Sequence, residues 1–200
     1  MKLLAFADMH GNLKSLEGIA KRASSEKAEV IVCAGDFTVF ERDIERILKK
    51  LNSIGLPVLV IPGNHESSEH ISLASKALPN VLNFDNSMLE REEFIFVGRE
   101  GNGFSHDDPR FRAWGERILK DLKKKKGKKV ILITHAPPYG TAIDKISGQH
   151  CGNKDIRRFI EKAQPVLAIS GHLHECAGKE DRVGKCRVIN PGPYGKIISV

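Results

Sequence analysis

The sequence holds little that would staple it, stack on bases or span a bilayer. Its four cysteines, Cys33, Cys151, Cys176 and Cys186, show no C-x-x-C spacing, which argues against a thiolate zinc finger. They read as free thiols of a reducing compartment, and the chain reads as cytoplasmic. Aromatic residues are only 6% of the total, with no motif of interleaved rings for stacking a nucleic-acid strand. The longest apolar runs, such as Val58–Ile61 and Val130–Ile133, fall far short of the ~18–20 residues a membrane helix requires. The apolar stretch Leu3–Ala7 stops at Asp8, too early for a signal-peptide core and its cleavage site. A length of 200 residues suffices for one domain with its own core, so residues 1–200 are read as a single domain.

Charge is plentiful. Lys and Arg number 32 against 25 Asp and Glu, a net of +7, and Lys120–Lys129 alone carries seven lysines and one aspartate. Such a tract could touch nucleic acid; the plainer reading is the solvated end of a helix running into a turn at Gly127. Apolar runs at Lys2–Ala7, Glu29–Ala34, Pro57–Ile61, Lys129–Thr134 and Val166–Ser170 read as strands. Between them, apolar residues recur at helical spacing, as in Ile44, Ile47, Leu48 and Leu51. A helix is expected over about Glu66–Leu78 and another over about Pro109–Lys126. Val81–Phe84, Ser87–Glu90 and Glu93–Val97 read as an antiparallel meander around the Asp85-Asn86 turn. Arg182–Val183, Cys186–Asn190 and Lys196–Val200 read as an antiparallel ribbon. Strand–helix alternation on both sides of a meander predicts an α/β chain with two packed sheets and helices outside.

The chemistry lies where the strands end. The first is followed by Asp8-Met9-His10-Gly11-Asn12, the second by Gly35-Asp36, the third by Gly63-Asn64-His65-Glu66. The strand at 129–134 runs into His135 and the one at 166–170 into Gly171-His172-Leu173-His174. Carboxyl ends of strands in open α/β sheets face the ligand crevice, so these turns are expected to converge. Asp8, His10, Asp36, Asn64, His135, His172 and His174 offer carboxylate, amide and imidazole donors, a set suited to Mn²⁺, Fe, Zn²⁺, Ni²⁺ or Co²⁺, with Mn²⁺ favoured. Seven donors exceed what one tetrahedral ion uses. Two divalent metal ions sharing a carboxylate use them economically and suit in-line displacement at phosphorus.

This ordered series of blocks over residues 8–174 resembles the calcineurin-like metallophosphoesterase superfamily, with Glu66 where the family often has Asp. His135-Ala136-Pro137-Pro138-Tyr139-Gly140-Thr141 and Gln149-His150-Cys151-Gly152 are similar to its small prokaryotic or archaeal branch. The resemblance implies a four-layer αββα sandwich of two mixed β-sheets flanked by helices. It also implies one ion on Asp8, His10, Asp36 and His174 and a second on Asp36, Asn64, His135 and His172, bridged by Asp36. His65 would then be the catalytic acid for the leaving oxygen. Glu66 would orient His65 or open the next helix. His150 reads either as a substrate-phosphate contact or as an ordinary loop histidine. The expected reaction is hydrolysis of a phosphodiester or phosphomonoester, a small substrate, by an oxygen held between the ions. The alternatives are a nuclease acting on DNA or RNA and a non-catalytic metal-binding interaction scaffold. Specificity would come from loops 99–112 and 136–152, and an oligomer is possible through a sheet edge.

Overall fold

The computed structural model describes residues 1–101, 103 and 105–200; Asn102 and Phe104, in the expected specificity loop 99–112, lie outside them. The first half of the chain forms β1 (Lys2–Phe6), α1 (Leu13–Ser25), β2 (Val30–Ala34), α2 (Ile44–Asn52), β3 (Val58–Ile61), α3 (Ser68–Ser75) and β4 (Val81–Asn83). There follow β5 (Ser87–Arg91), β6 (Phe94–Arg99), α4 (Pro109–Leu122), β7 (Lys129–Thr134), β8 (Lys145–Ile146) and β9 (Gln149–His150). The chain continues through α5 (Lys154–Ala163), β10 (Leu167–Ile169), β11 (Glu180–Val183), β12 (Cys186–Ile189) and β13 (Lys196–Ser199).

One sheet has the order β13-β1-β2-β3-β4 and the other β11-β12-β10-β7-β6-β5, while β8 and β9 pair alone. The core strands run parallel within each sheet, with antiparallel partners at β13, β5 and β11. Alternate side chains explain the layers. Leu3 and Ala5, Val30 and Val32, Leu59 and Ile61 face Phe94 and Phe96, Ile131 and Ile133 across the interior between the sheets. Their neighbours Leu4 and Phe6, Ile31 and Cys33 turn outward onto α1 and α2, while Ile95, Val97 and Leu132 turn onto α4 and α5. Burial on both faces is why these strands read as unbroken apolar runs. The result is the α/β four-layer sandwich, two mixed sheets between helices.

The meander expectation is corrected. β4 joins the first sheet, parallel to β3, whereas β5 and β6 form an antiparallel pair in the second. Phe84 points into the interior between the sheets while its N–H still bonds Val60 O at 2.7 Å, so the chain changes sheets at Asp85-Asn86. The C-terminal ribbon divides likewise: β11 and β12 are a hairpin of the second sheet, and β13 lies on β1 in the first. Helix α3 starts at Ser68, later than expected, because the Glu66 carboxylate is bonded elsewhere and the Ser67 hydroxyl caps the helix. Among the described residues, no helix is long and apolar enough to cross a membrane.

Helices α4 and α5 are joined by the buried Asp155 carboxylate. It accepts from Asp108 N at 2.8 Å, Arg112 Nε at 2.8 Å, Arg112 Nη2 at 3.1 Å and Arg158 Nη1 at 3.1 Å. The Arg112 hydrogen bond leads in holding Asp155 below the usual carboxylate range. A folded-state value lower than the unfolded one adds stability above pH ~4, and that stability is lost as pH falls toward the folded value. Asp155→Asn is therefore expected to cost about 1–3 kcal/mol at pH 7, discounted for the exposed arginines. The gap to wild type should shrink in urea melts at pH 3; an equal gap at both pH values would refute the assignment.

Candidate metal centre

Parallel strands put the carboxyl ends of β1, β2 and β3 at one end of the first sheet and those of β7 and β10 at the same end of the second. The two ends are laced together. Asp8 N donates to Gly35 O at 3.1 Å, His10 N to Asp36 O at 3.0 Å and Gly11 N to Phe37 O at 2.9 Å, zipping the first two turns. Across the sheets, His172 N donates to Asp8 Oδ1 at 3.0 Å and His135 Nδ1 lies 2.8 Å from Ala34 O. A carbonyl only accepts, so Nδ1 carries a proton, and the neutral His135 ring has its lone pair on Nε2.

The turns are tight. Asp8, His10, Asp36 and His172 all take left-handed backbone, with φ of 57°, 46°, 51° and 72°. Asp and His tolerate that region better than most residues, yet each such residue carries roughly 1–3 kcal/mol of strain, a cost concentrated at functional sites. Close approach fixes two glycines. A Cβ on Gly63 would stand 2.2 Å from Asp36 Oδ1, and one on Gly171 would stand 2.5 Å from Ala7 Cβ and 2.9 Å from Asp8 Oδ2.

Among the described residues three overlapping groups of donors result, each with its ligand atoms within 4.8 Å of one another: Asp8–His10–His174, His10–Asp36–His65 and Asp36–His135–His172. His10 Nε2 and His174 Nε2 are 3.0 Å apart, and Asp36 Oδ2 lies 3.4 Å from His135 Nε2 and 4.0 Å from His10 Nε2. Two imidazole lone pairs at that distance need a proton or a cation between them, and two ligands of one ion with bonds of about 2.1 Å are roughly this far apart. Asp8 Oδ2 and His135 Nε2 are buried without a hydrogen-bond partner, although such atoms ordinarily find one. These are the marks of a cation site, and the mixed nitrogen and oxygen set fits divalent transition metals.

Electrostatics agree. Burial raises the Asp8 carboxyl above its ordinary value despite nearby His135. Burial pushes Asp36 up too, but the His135 imidazole beside it and the His65 N–H more than offset this and hold it well below the carboxylate range. Burial lowers His10, and burial with the neighbouring His135 lowers His172 to about 4. The structure thus keeps the ionised Asp36 carboxylate beside two imidazoles, His10 and His172, held toward the neutral form that metal ligands require, while Asp36 draws the His135 ring upward against the effect of its burial.

Asp8, His10, Asp36, His135, His172 and His174 are thus brought together, and His65 sits with His10, its ring edge-on at 4.8 Å between centroids. Asn64 is exposed beside this group, on the lip of a cleft also lined by Arg99, Gly103 and Arg110. His150 is in none of the three groups; its Nδ1 contacts Asp144 Oδ1 at 2.6 Å in the 136–152 loop. Asn12 caps α1 through Ser15 N at 3.1 Å.

Glu66 is directed at the backbone of neighbouring turns and not at the His65 ring, and the next helix starts beyond it at Ser68. Its buried carboxylate accepts from Asp36 N at 3.0 Å, Gly63 N at 3.1 Å and both Thr38 N and Thr38 Oγ1 at 2.7 Å, clasping the second and third turns. Phe40 also carries no signal in the sequence: its N–H donates to His65 Nδ1 at 3.2 Å.

Comparison with known proteins gives one consistent picture. The family model described as calcineurin-like phosphoesterase matches residues 1–176. An uncharacterized protein of Methanocaldococcus jannaschii is 32% identical over 204 residues, covering 96% of this chain and 88% of its own length. A probable glycerophosphodiester phosphodiesterase of Arcobacter nitrofigilis is 27% identical over 173 residues, covering 74% of this chain and 57% of its own. The crystal structure of a dimetal phosphatase from Danio rerio superposes with a TM-score of 0.71 at 13% identity, covering 94% of this chain and 86% of that one, a likeness of fold.

Among the described residues, Asp36 is the one carboxylate shared by two donor groups. Asp36→Asn is accordingly expected to abolish tight binding of metal, read by elemental analysis after dialysis against Mn²⁺. Two ions retained per chain would contradict the shared role. Gly63→Ala should also lower metal content, since a Cβ displaces the Asp36 carboxylate.

Proposed function

Because the chain belongs to the calcineurin-like phosphoesterase family, we propose that it hydrolyses a small phosphodiester or phosphomonoester with two divalent metal ions, Mn²⁺ favoured. Asp8, His10, Asp36 and His174 would hold one ion, and Asp36, Asn64, His135 and His172 the other. The observation that carries this reading is the chain of overlapping donor groups, in which Asp36 and His10 each belong to two. When bound, such a pair supplies charge that neutralises phosphoryl oxygens and acidity that makes water a nucleophile near neutral pH. Residues 1–200 are taken as one domain, since both sheets share one interior.

The protein's own residues do the rest. His65 is the acid. Its Nδ1 accepts the Phe40 N–H, which leaves the ring proton on Nε2, available to a leaving oxygen. Glu66 holds the backbone of Asp36 and Gly63, so the carboxylate and the His65 turn keep one geometry. His150 is proposed to meet a substrate phosphate oxygen. Buried Asp144 orients its ring, and its β-partner Lys145 presents a carbonyl to Cys176, two residues beyond His174. The buried thiols of Cys33, Cys176 and Cys186 serve as packing, in keeping with a cytoplasmic enzyme.

The lysine tract does not favour a nuclease. Lys125 and Lys128 contact Glu90, and Lys129 contacts Glu93 at the amino end of β7, whereas His135 follows its carboxyl end. A scaffold that has lost hydrolysis would be expected to lack ligands or His65; here the sequence has them all, and Asp8, His10, Asp36, His65, His135, His172 and His174 fall in the donor groups.

The direct test is turnover of aryl mono- and diesters by protein loaded with Mn²⁺, Ni²⁺ or Mg²⁺, with metal content measured in parallel. Chelation should abolish activity and readdition restore it; turnover indifferent to chelation would overturn the reading. His65→Ala should keep its metal and lose about 10²–10⁴ in kcat. Poor metal retention in that variant would instead make His65 a ligand.

A further inference from the structure

Phe40 breaks two rules at once. It is 75% exposed, unlike the other phenylalanines of the described chain, and its backbone is left-handed at φ 48°, with Glu41 following at 64°. Bulky residues seldom occupy that region, and strain of this kind is retained where surrounding structure enforces it. The enforcement here comes from the third turn: Phe40 N donates to His65 Nδ1 at 3.2 Å and Glu41 N to His65 O at 3.0 Å. The ring is consequently held over the His65 imidazole, 4.4 Å between centroids and tilted 42°. One face rests on the histidine and the rest is open to solvent. It borders a groove of ≈ 280 Å³ that is also lined by Asn64, His65 and Ser67.

An exposed aromatic ring costs hydration, and here it costs backbone strain as well. Packing does not require it, because Phe40 is absent from all three apolar cores. Its position is informative: it stands beside the imidazole assigned above to the leaving oxygen, and on that assignment it borders the space of the leaving group. We propose that Phe40 is the specificity residue of this site, a platform on which a planar aromatic ring of the substrate's leaving group stacks. The inference rests on the phosphoesterase reading above and narrows it to esters whose leaving side carries an aromatic ring within reach of the phosphorus. Phe40 makes no bond to the reacting atoms, so its effect falls on binding.

The test uses non-hydrolysable phosphonates and calorimetric dissociation constants with the Mn²⁺-loaded full chain. Benzylphosphonate supplies the ring, ethylphosphonate omits it, and cyclohexylmethylphosphonate replaces it with an apolar ring that cannot stack flat. Stacking predicts that benzylphosphonate binds about tenfold tighter than ethylphosphonate and several-fold tighter than cyclohexylmethylphosphonate. Phe40→Ala should erase both differences while leaving ethylphosphonate binding and metal content unchanged, and Phe40→Trp should keep them. Equal binding of the three probes to the wild type would overturn the proposal, as would a Phe40→Ala loss common to all three, which would make the residue only a support for His65. In either case the wild type would still hydrolyse esters. If no phosphonate bound and no ester were hydrolysed, the enzyme reading itself would fall and this one with it.

Discussion

The organisation of the molecule turns on one buried carboxylate. Asp36 follows β2, receives the His65 N–H on Oδ1 and faces His135 and His10 with Oδ2. It therefore touches turns from both sheets. A lone anion there would be costly to bury, and its ionised form survives only because imidazoles and N–H dipoles surround it. Everything else at the seam follows from keeping that group in place: the absence of a side chain at Gly63, the left-handed turn at Asp36, and the Glu66 clasp behind both.

Rigidity of this sort is expensive, and the fold supplies it from the layers beneath. Four of the gathered residues hold left-handed backbone, which sums to several kcal/mol of local strain at about 1–3 each. The strands that feed these turns are buried on both faces, so each enters its turn from a position that packing does not let it leave. The sheets' interior side chains stop at the donors, with Ala7, Ala34 and Ile133 as the last apolar residues below Asp8, Asp36 and His135. Apolar packing and ion-binding chemistry are thus adjacent floors of one structure.

Much of this was legible from the residues alone. Strands covered on both faces produce unbroken apolar runs, and five such runs end in the turns whose Asp and His side chains make up the donor groups. What escaped was pairing. Val81–Asn83 and Ser87–Arg91 look like neighbours in one meander, because local alternation says which face is apolar but not which sheet will receive it. Glu66 escaped for a different reason: an acid just before a helix is favourable on electrostatic grounds, so its sequence context gave no hint that the carboxylate reaches back to the Asp36 turn. Phe40 gave no signal because one apolar residue in a turn belongs to no periodicity.

The placement of β13 has a consequence for how the molecule is made. β1, which delivers Asp8, is flanked by β2 on one side and by a strand that begins only at Lys196 on the other. As the chain leaves the ribosome, one edge of β1 stays bare until Lys196–Ser199 has emerged, and bare edges recruit wrong partners. The same lateness applies to His172 N, which closes on Asp8 from 164 residues away. β1 is thus made before both of the segments that lock it, β13 and the His172 turn.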